Sequence, residues 1–198
     1  MIHRLTYPFT REQTEPLQAG DGVRVFGLIY TGRDRLHKYL FEGGACPVPL
    51  ADGGLYHCGP VMIREGAGWR AVAAGPTTSI REEPFMARIL REHGVRVVIG
   101  KGGMGTATAK ACAETGSVYL EAVGGAAQVL ASCIVRVRGV RFESEFGSAE
   151  ALWELEVADF PALVSIDARG VNLHHRIEHA SQRALARLLA NEKKDGRG

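Results

Sequence analysis

The chain has 198 residues, 45% hydrophobic and 23% charged, the composition of a soluble globular domain with enough length to bury one sizeable core. Its 24 basic and 22 acidic residues are interspersed, giving a formal net charge of +2 without a block of like charges; a nucleic-acid arm or acidic tail is excluded and any anion recognition must be local. No apolar run is long enough to span a membrane, and the start MIHRLTYPFTREQTEP lacks the zones of a signal peptide, so the expected setting is cytoplasmic, with neither membrane nor nucleic acid as partner.

In chain order, a polar entry at residues 17–21 leads to VRVFGLIYTG (23–32), a strand bounded by glycines, and a helix is expected from Asp34 with Leu36, Tyr39, Leu40 and Phe41 on one side. GGACPVPLADGG (43–54) reads as an irregular connection. LYHCGPVMI (55–63) and WRAVAAGP (69–76), separated by REGAG, read as a hairpin. PFMARILREHG (84–94) is helical by the spacing of Phe85, Met86, Ile89 and Leu90, with Gly94 at the C-cap position. Strand VRVVIG (95–100), loop GKGGMG (100–105), helix TATAKACAETG (106–116) and strand SVYLEAV (117–123) then form a strand-helix-strand unit that implies a parallel pair. GGAAQVLASCI (124–134) reads as helical, VRVRGVRF (135–142) and LWELEVADFPALVSID (152–167) as strand-rich. From His174 to Asn191 a stripe of Ile177, Ser181, Ala184, Leu185 and Leu188 predicts an amphipathic helix docked on the body. The fold class is therefore mixed α/β with a partly parallel sheet, one domain over residues 1–190 and a disordered tail over 191–198.

The cysteines Cys46, Cys58, Cys112 and Cys133 form no C-x-x-C pair, which argues for reduced, mostly buried thiols rather than a zinc site or a disulfide framework. His174, His175 and His179 lack a third, acidic ligand and read as solvated surface, so no metal site is expected. Three loops, each following a strand, seek anions. Gly100, Gly102 and Gly105 satisfy G-x-G-x-x-G between a strand and a helix, with Glu121 ending the next strand. That spacing suits a dinucleotide module, a plain tight turn, or a carboxylate cradle using Lys101. GPTTSIR (75–81) offers Thr77, Thr78, Ser79 and Arg81 at a helix start, more hydroxyls than capping requires. TGRDRLH (31–37) offers Arg33 at a strand end, with Asp34 and His37 on one helical face. Arg33, Arg81 and Lys101 together match the cationic demand of a dicarboxylate, provided the loops meet.

These segments resemble one family. TGRDRLH (31–37), YHCGP (56–60), GPTTSIR (75–81), IGKGGMG (99–105), the GGAA segment (124–127) and FGSAEALWELEVADFPALVSIDARG (146–170) occur in the order found in the beta subunits of class I, iron-sulfur-dependent fumarases and L(+)-tartrate dehydratases. The resemblance implies a swivelling β/β/α domain with a mixed sheet and flanking helices. It implies a hydro-lyase active only with a cluster-bearing alpha subunit, the [4Fe-4S] cluster lying on that partner and none on this chain. The reaction implied is reversible hydration of fumarate to malate, with tartrate dehydration to oxaloacetate as the alternative; a homodimer is left open. By the same resemblance Thr77 is the base, Lys101 a catalytic cation, and Arg33, Arg81, Thr78, Ser79, Gly100 and Gly102 bind substrate, supported by Asp34, His37 and His57. The chain departs from the pattern at Glu82, where methionine is common, and at Arg35, where a small residue is common. Glu82 reads either as a capping or ion-paired residue or as a charge that tunes specificity.

Overall fold

The computed structural model describes residues 1–194. Among them the strands are β1 (Ile2–Thr6), β2 (Gly22–Gly32), β3 (Gly54–His57), β4 (Val61–Glu65), β5 (Gly68–Ala73), β6 (Val97–Gly100), β7 (Val118–Glu121), β8 (Ile134–Arg141) and β9 (Leu152–Ile166). The helices are α1 (Arg11–Thr14), α2 (Asp34–Phe41), α3 (Glu83–His93), α4 (Thr106–Thr115), α5 (Ala127–Ser132), α6 (Glu143–Phe146) and α7 (Leu173–Lys194), with a 3-10 turn at Ser79–Glu82.

Seven strands form one sheet in the order β1-β2-β3-β6-β7-β9-β8, and β9 also pairs with β2. The strip β2-β3-β6-β7-β9 therefore closes on itself as a small barrel, parallel from β2 to β7 and antiparallel where β9 joins both ends. Closure needs the two long strands to bend. The register of β2 on β9 shifts between Val25 and Gly27, and Gly27 adopts φ +97° where a Cβ would stand 2.7 Å from that of Tyr7. Opposite, Asp159 holds a positive φ of 55° within β9.

The barrel strands are apolar on both faces, so side chains alternate between two cores. Ile29, Tyr56, Val97, Ile99, Val118, Leu120, Trp153 and Phe160 fill one. Leu55, Val98 and Tyr119 turn the other way and meet Leu36 and Leu40 of α2, Met86, Ile89 and Leu90 of α3, and Ala109 and Cys112 of α4. Helices α3 and α4 each end on a left-handed glycine, Gly94 (φ 64°) and Gly116 (φ 72°), the former where the sequence placed it.

The structure departs from expectation at two points. The run LYHCGPVMI is not one strand: Leu55, Tyr56 and His57 lie in the main sheet, the chain breaks at Cys58, Gly59 and Pro60, and only β4 pairs with β5. Periodicity cannot reveal that break, where Gly59 lies against the Ala149 carbonyl and the Arg33 side chain. The terminal helix forms but does not dock. Every side chain from Arg176 to Ala190 is exposed, Ile177, Leu185 and Leu188 included. Asn172 anchors the helix start by donating to the Met104 carbonyl at 2.9 Å and accepting from the His174 amide. The tail expected from Asn191 is helical as far as Lys194; residues 195–198 lie outside the described residues. Because surface residues without packing contribute little, deleting residues 177–198 is expected to change the unfolding free energy of the isolated chain by less than about 1 kcal/mol. A larger loss in urea titrations would show that α7 packs on the body in solution.

Candidate functional site

Parallel pairing of β2, β3, β6 and β7 puts their C-terminal ends on one edge of the barrel, as the registers Gly32 with His57, Tyr56 with Ile99 and Gly100 with Glu121 show. The loops that follow these strands must emerge together. GPTTSIR joins them through backbone bonds: Thr77 donates to the His57 carbonyl at 2.7 Å, Thr78 pairs with Lys101, and Ser79 donates to the Lys101 carbonyl at 3.0 Å. The rim thus gathers all the anion-seeking segments that sequence left apart.

Arg33, Arg81 and Lys101 share this rim. Arg33 Nε lies 3.5 Å from Glu150 Oε1, and a Cβ on Gly59 would come within 2.9 Å of the Arg33 side chain, so YHCGP requires its glycine to admit the guanidinium. Arg81 forms an ion pair with Asp34, the residue after Arg33. Lys101 has no carboxylate partner among the described residues, and its Cδ lies 2.9 Å from where a Cβ on Gly124 would be, which ties the GGAA segment to the same place. Thr77 is half-buried and Thr78 exposed.

A buried polar layer supports the rim. The Ser79 hydroxyl accepts from the Lys101 amide at 3.1 Å and lies 2.9 Å from His57 Nδ1; it fills the space that a Cβ on Gly100 would need. Ser79 is fully buried, so its hydroxyl serves the scaffold of the loops. His37 Nδ1 lies 2.8 Å from the Arg33 carbonyl, which can only accept, so that nitrogen carries the hydrogen. The His37 and His57 rings meet edge to face at 4.8 Å. Burial pushes His37 down to about 4, and burial, then the neighbouring His37, pushes His57 well down, so both are neutral at pH 7. Glu82 is fully buried and forms no side-chain cap on α3; burial first, then the Asp34 charge, pushes it up to about 8. Glu82 Oε2 and His37 Nδ1, 3.5 Å apart, are therefore not an ion pair at neutral pH.

The glycine loop has little left for a phosphate. Gly102 N–H donates to Glu121 at 3.2 Å, Gly105 N–H to Glu83 at 2.7 Å, and Ala107 N–H and the Thr108 hydroxyl to the same Glu83 carboxylate. A pyrophosphate at this helix start would displace, and face, two carboxylates. Gly100 and Gly102 act by leaving room and turning the chain, Gly102 at φ 71°. Sequence reasoning missed Glu83 and Glu150, and noted Glu121 only as the end of the strand after the glycine motif; Glu83 shows only as an acidic residue in the first turn of α3, and nothing in its spacing points to α4. Glu121 also meets His174 Nε2 at 3.0 Å. Arg35 donates to the Glu145 carbonyl at 3.3 Å, away from the buried layer. Among the described residues no three His, Cys, Asp or Glu side chains are grouped to hold a metal ion, and all four cysteines are free.

A small closed mixed sheet flanked by helices, with cations and hydroxyls at the C-terminal strand ends, defines a mixed α/β domain with an open polar rim. The chain belongs to the fumarase C-terminus family, whose model matches residues 3–177. It is 52% identical over 185 residues to a protein named as a class I fumarate hydratase in Geobacillus stearothermophilus, covering 93% of this chain but 36% of that one. It therefore spans about a third of that relative. It is 35% identical to a protein named as an L(+)-tartrate dehydratase beta subunit in Methanocaldococcus jannaschii, over 91% of this chain and 95% of the relative. To the L(+)-tartrate dehydratase subunit beta of Escherichia coli K12 it is 34% identical, over 85% of each.

The protonated state of Glu82 has a consequence for stability. Its folded-state value is raised, so between pH 4.5 and about 8 the unfolded chain loses this proton while the folded chain keeps it, and stability declines as pH rises. Glu82→Gln, which has no proton to lose, removes that dependence. The variant is expected to match the native chain near pH 4.5 and to exceed it increasingly towards pH 8 in thermal melts; a pH-independent difference contradicts the assignment.

Proposed function

We propose that this chain is the beta subunit of a two-subunit [4Fe-4S] hydro-lyase that reversibly hydrates fumarate to malate. The observation that carries the reading is the gathering of the loops that bear Arg33, Arg81, Lys101 and Thr77 on one open edge of the barrel. A C4 dianion needs cations at both carboxylates, and guanidinium groups neutralise and orient a carboxylate by paired hydrogen bonds. The 52% identity to a protein named as a fumarate hydratase favours fumarate over tartrate, for which the relatives stand at 34–35%.

The described residues provide no ligand set for an iron-sulfur cluster. In this reading the cluster belongs to the alpha subunit, and this chain contributes the carboxylate clamp. Ile80 (51% exposed) and Val123 (69% exposed) flank Thr78 and Gly124 at the rim, apolar surface that suits a covering polypeptide. Thr77, as the alkoxide that Lys101 and Arg81 favour, takes the proton from the carbon beside a carboxylate as the C–O bond on the adjacent carbon breaks and hydroxide leaves, and in hydration it returns that proton to carbon as hydroxide adds. Arg33 and Arg81 hold the carboxylates, and Thr78 with the Gly100 and Gly102 backbone shapes the floor. Asp34, His37, His57 and Ser79 set the positions of those groups.

The test is a coupled assay of the anaerobically reconstituted alpha-beta complex with fumarate, malate and L(+)-tartrate. Turnover of fumarate and malate is expected; exclusive turnover of tartrate would select the dehydratase reading, and none with any of them would end both. In the same assay Lys101→Ala should lower turnover by about a hundredfold or more, the scale for losing a group that stabilises developing charge. Its circular dichroism should stay native, because the Lys101 side chain holds no buried contact that the fold needs. Near-native turnover would remove Lys101 from the clamp.

A further inference from the structure

We propose that Glu82 holds a proton against Asp34 and makes dianion binding at the rim proton-linked, so that the carboxylates of the substrate bind tightly only while Glu82 is neutral. The proposal rests on the dicarboxylate reading above. Neither oxygen of Glu82 has a hydrogen-bond donor among the described residues, although the side chain is fully buried. An ionised carboxylate there would be desolvated and uncompensated, which is costly, whereas a neutral carboxylic acid is not, and the negative charge of Asp34 favours the protonated form further.

The groups facing Glu82 leave no other arrangement. From α2, Asp34 is committed to Arg81, and the hydrogen on His37 Nδ1 is committed to the Arg33 carbonyl. From β3, His57 reaches it only through the His37 ring and is neutral. From the loop before β9, Glu150 adds a second negative charge, and Arg81 is the cation that acts against both. Between the two carboxyls the proton belongs on Glu82, since Asp34 is 35% exposed and paired with a guanidinium.

Two effects follow. Ionisation of Glu82 adds a negative charge beside Arg81 and Asp34, which lowers the positive potential that Arg33, Arg81 and Lys101 present to a dianion. The proton also steadies Asp34, the carboxylate that fixes Arg81, because two ionised carboxylates repel and shift it. Glu82 is thus a positioning residue, and its state should act on dianion affinity and KM rather than on the chemical step. Linkage is reciprocal, so a bound dianion raises the proton affinity of Glu82 in turn. The raised value of about 8 sets the window: affinity is flat with respect to this group below it and falls by up to about tenfold per pH unit above it.

The experiment is isothermal titration of the alpha-beta complex with succinate, a C4 dianion that cannot be hydrated, in buffers of differing ionisation enthalpy. Proton uptake on binding above pH 8, and none at pH 6, is expected of the native complex; Glu82→Gln should bind succinate without uptake and with an affinity that no longer falls across the same range. Binding without uptake in the native complex, or uptake retained in Glu82→Gln, overturns the proposal. Infrared difference spectra of the full chain, native against Glu82→Gln, supply a measurement independent of ligand: a carboxylic-acid C=O band at pH 7 is expected, and its absence also overturns it. Should succinate bind at no pH while that band is present, the dicarboxylate reading fails and the linkage with it, but the buried proton stands.

Discussion

The hydroxyl of Ser79 occupies the space in which a side chain at Gly100 would lie, and the arrangement of the rim depends on that insertion. It accepts the Lys101 amide, meets His57, and brings the threonines of GPTTS alongside the lysine of GKGGM. Neither loop could hold this position alone, because each would leave buried backbone donors without partners. The glycine is required for steric reasons and the serine for its acceptor, so the two motifs are halves of one joint.

Around that joint the protein neutralises much of its own charge before any ligand arrives. Glu83 saturates the start of α4, Glu121 takes the amide of Gly102, Asp34 holds Arg81, and Glu150 stands by Arg33. Only Lys101 lacks such a partner among the described residues. The arginines are therefore oriented in advance by weak, partly exposed pairs, which a stronger dianion can exchange, while the helix start is closed to competing phosphates. In the proposed function, selectivity for a small carboxylate over a nucleotide would come from which donors have been used up and which left free.

Much of this was legible in the sequence, and the boundary between what was and was not has a physical basis. The strand-helix-strand unit, the Gly94 cap and the anion-seeking loops are local, set by periodicity and by residue types within a few positions of one another. Partners contributed from a distant element were not legible. Glu83 caps the helix after its own, and Glu82, read as a cap, an ion-paired residue or a specificity-tuning charge, is buried beside His37 of α2. The long α7 shows the converse failure: its apolar stripe was correctly read as amphipathic, but amphipathicity specifies only that a face seeks cover, not whether this chain supplies it.

The same distinction applies at the rim. Paired charges in contact with water contribute little, on the order of 1 kcal/mol or less, because solvent screens them and competes for every donor. Exposed as it stands, a clamp of Arg33, Arg81 and Lys101 would hold a dicarboxylate weakly and stabilise little of the charge that develops during proton transfer. Covering it with a second polypeptide expels that water and strengthens each of these interactions several-fold. The exposed Ile80 and Val123, set among cations and hydroxyls, are the residues such a cover would bury. In the proposed complex, an open rim with its donors prearranged and its apolar border exposed would be half of an active site, its electrostatics becoming catalytic only when the other half excludes the solvent.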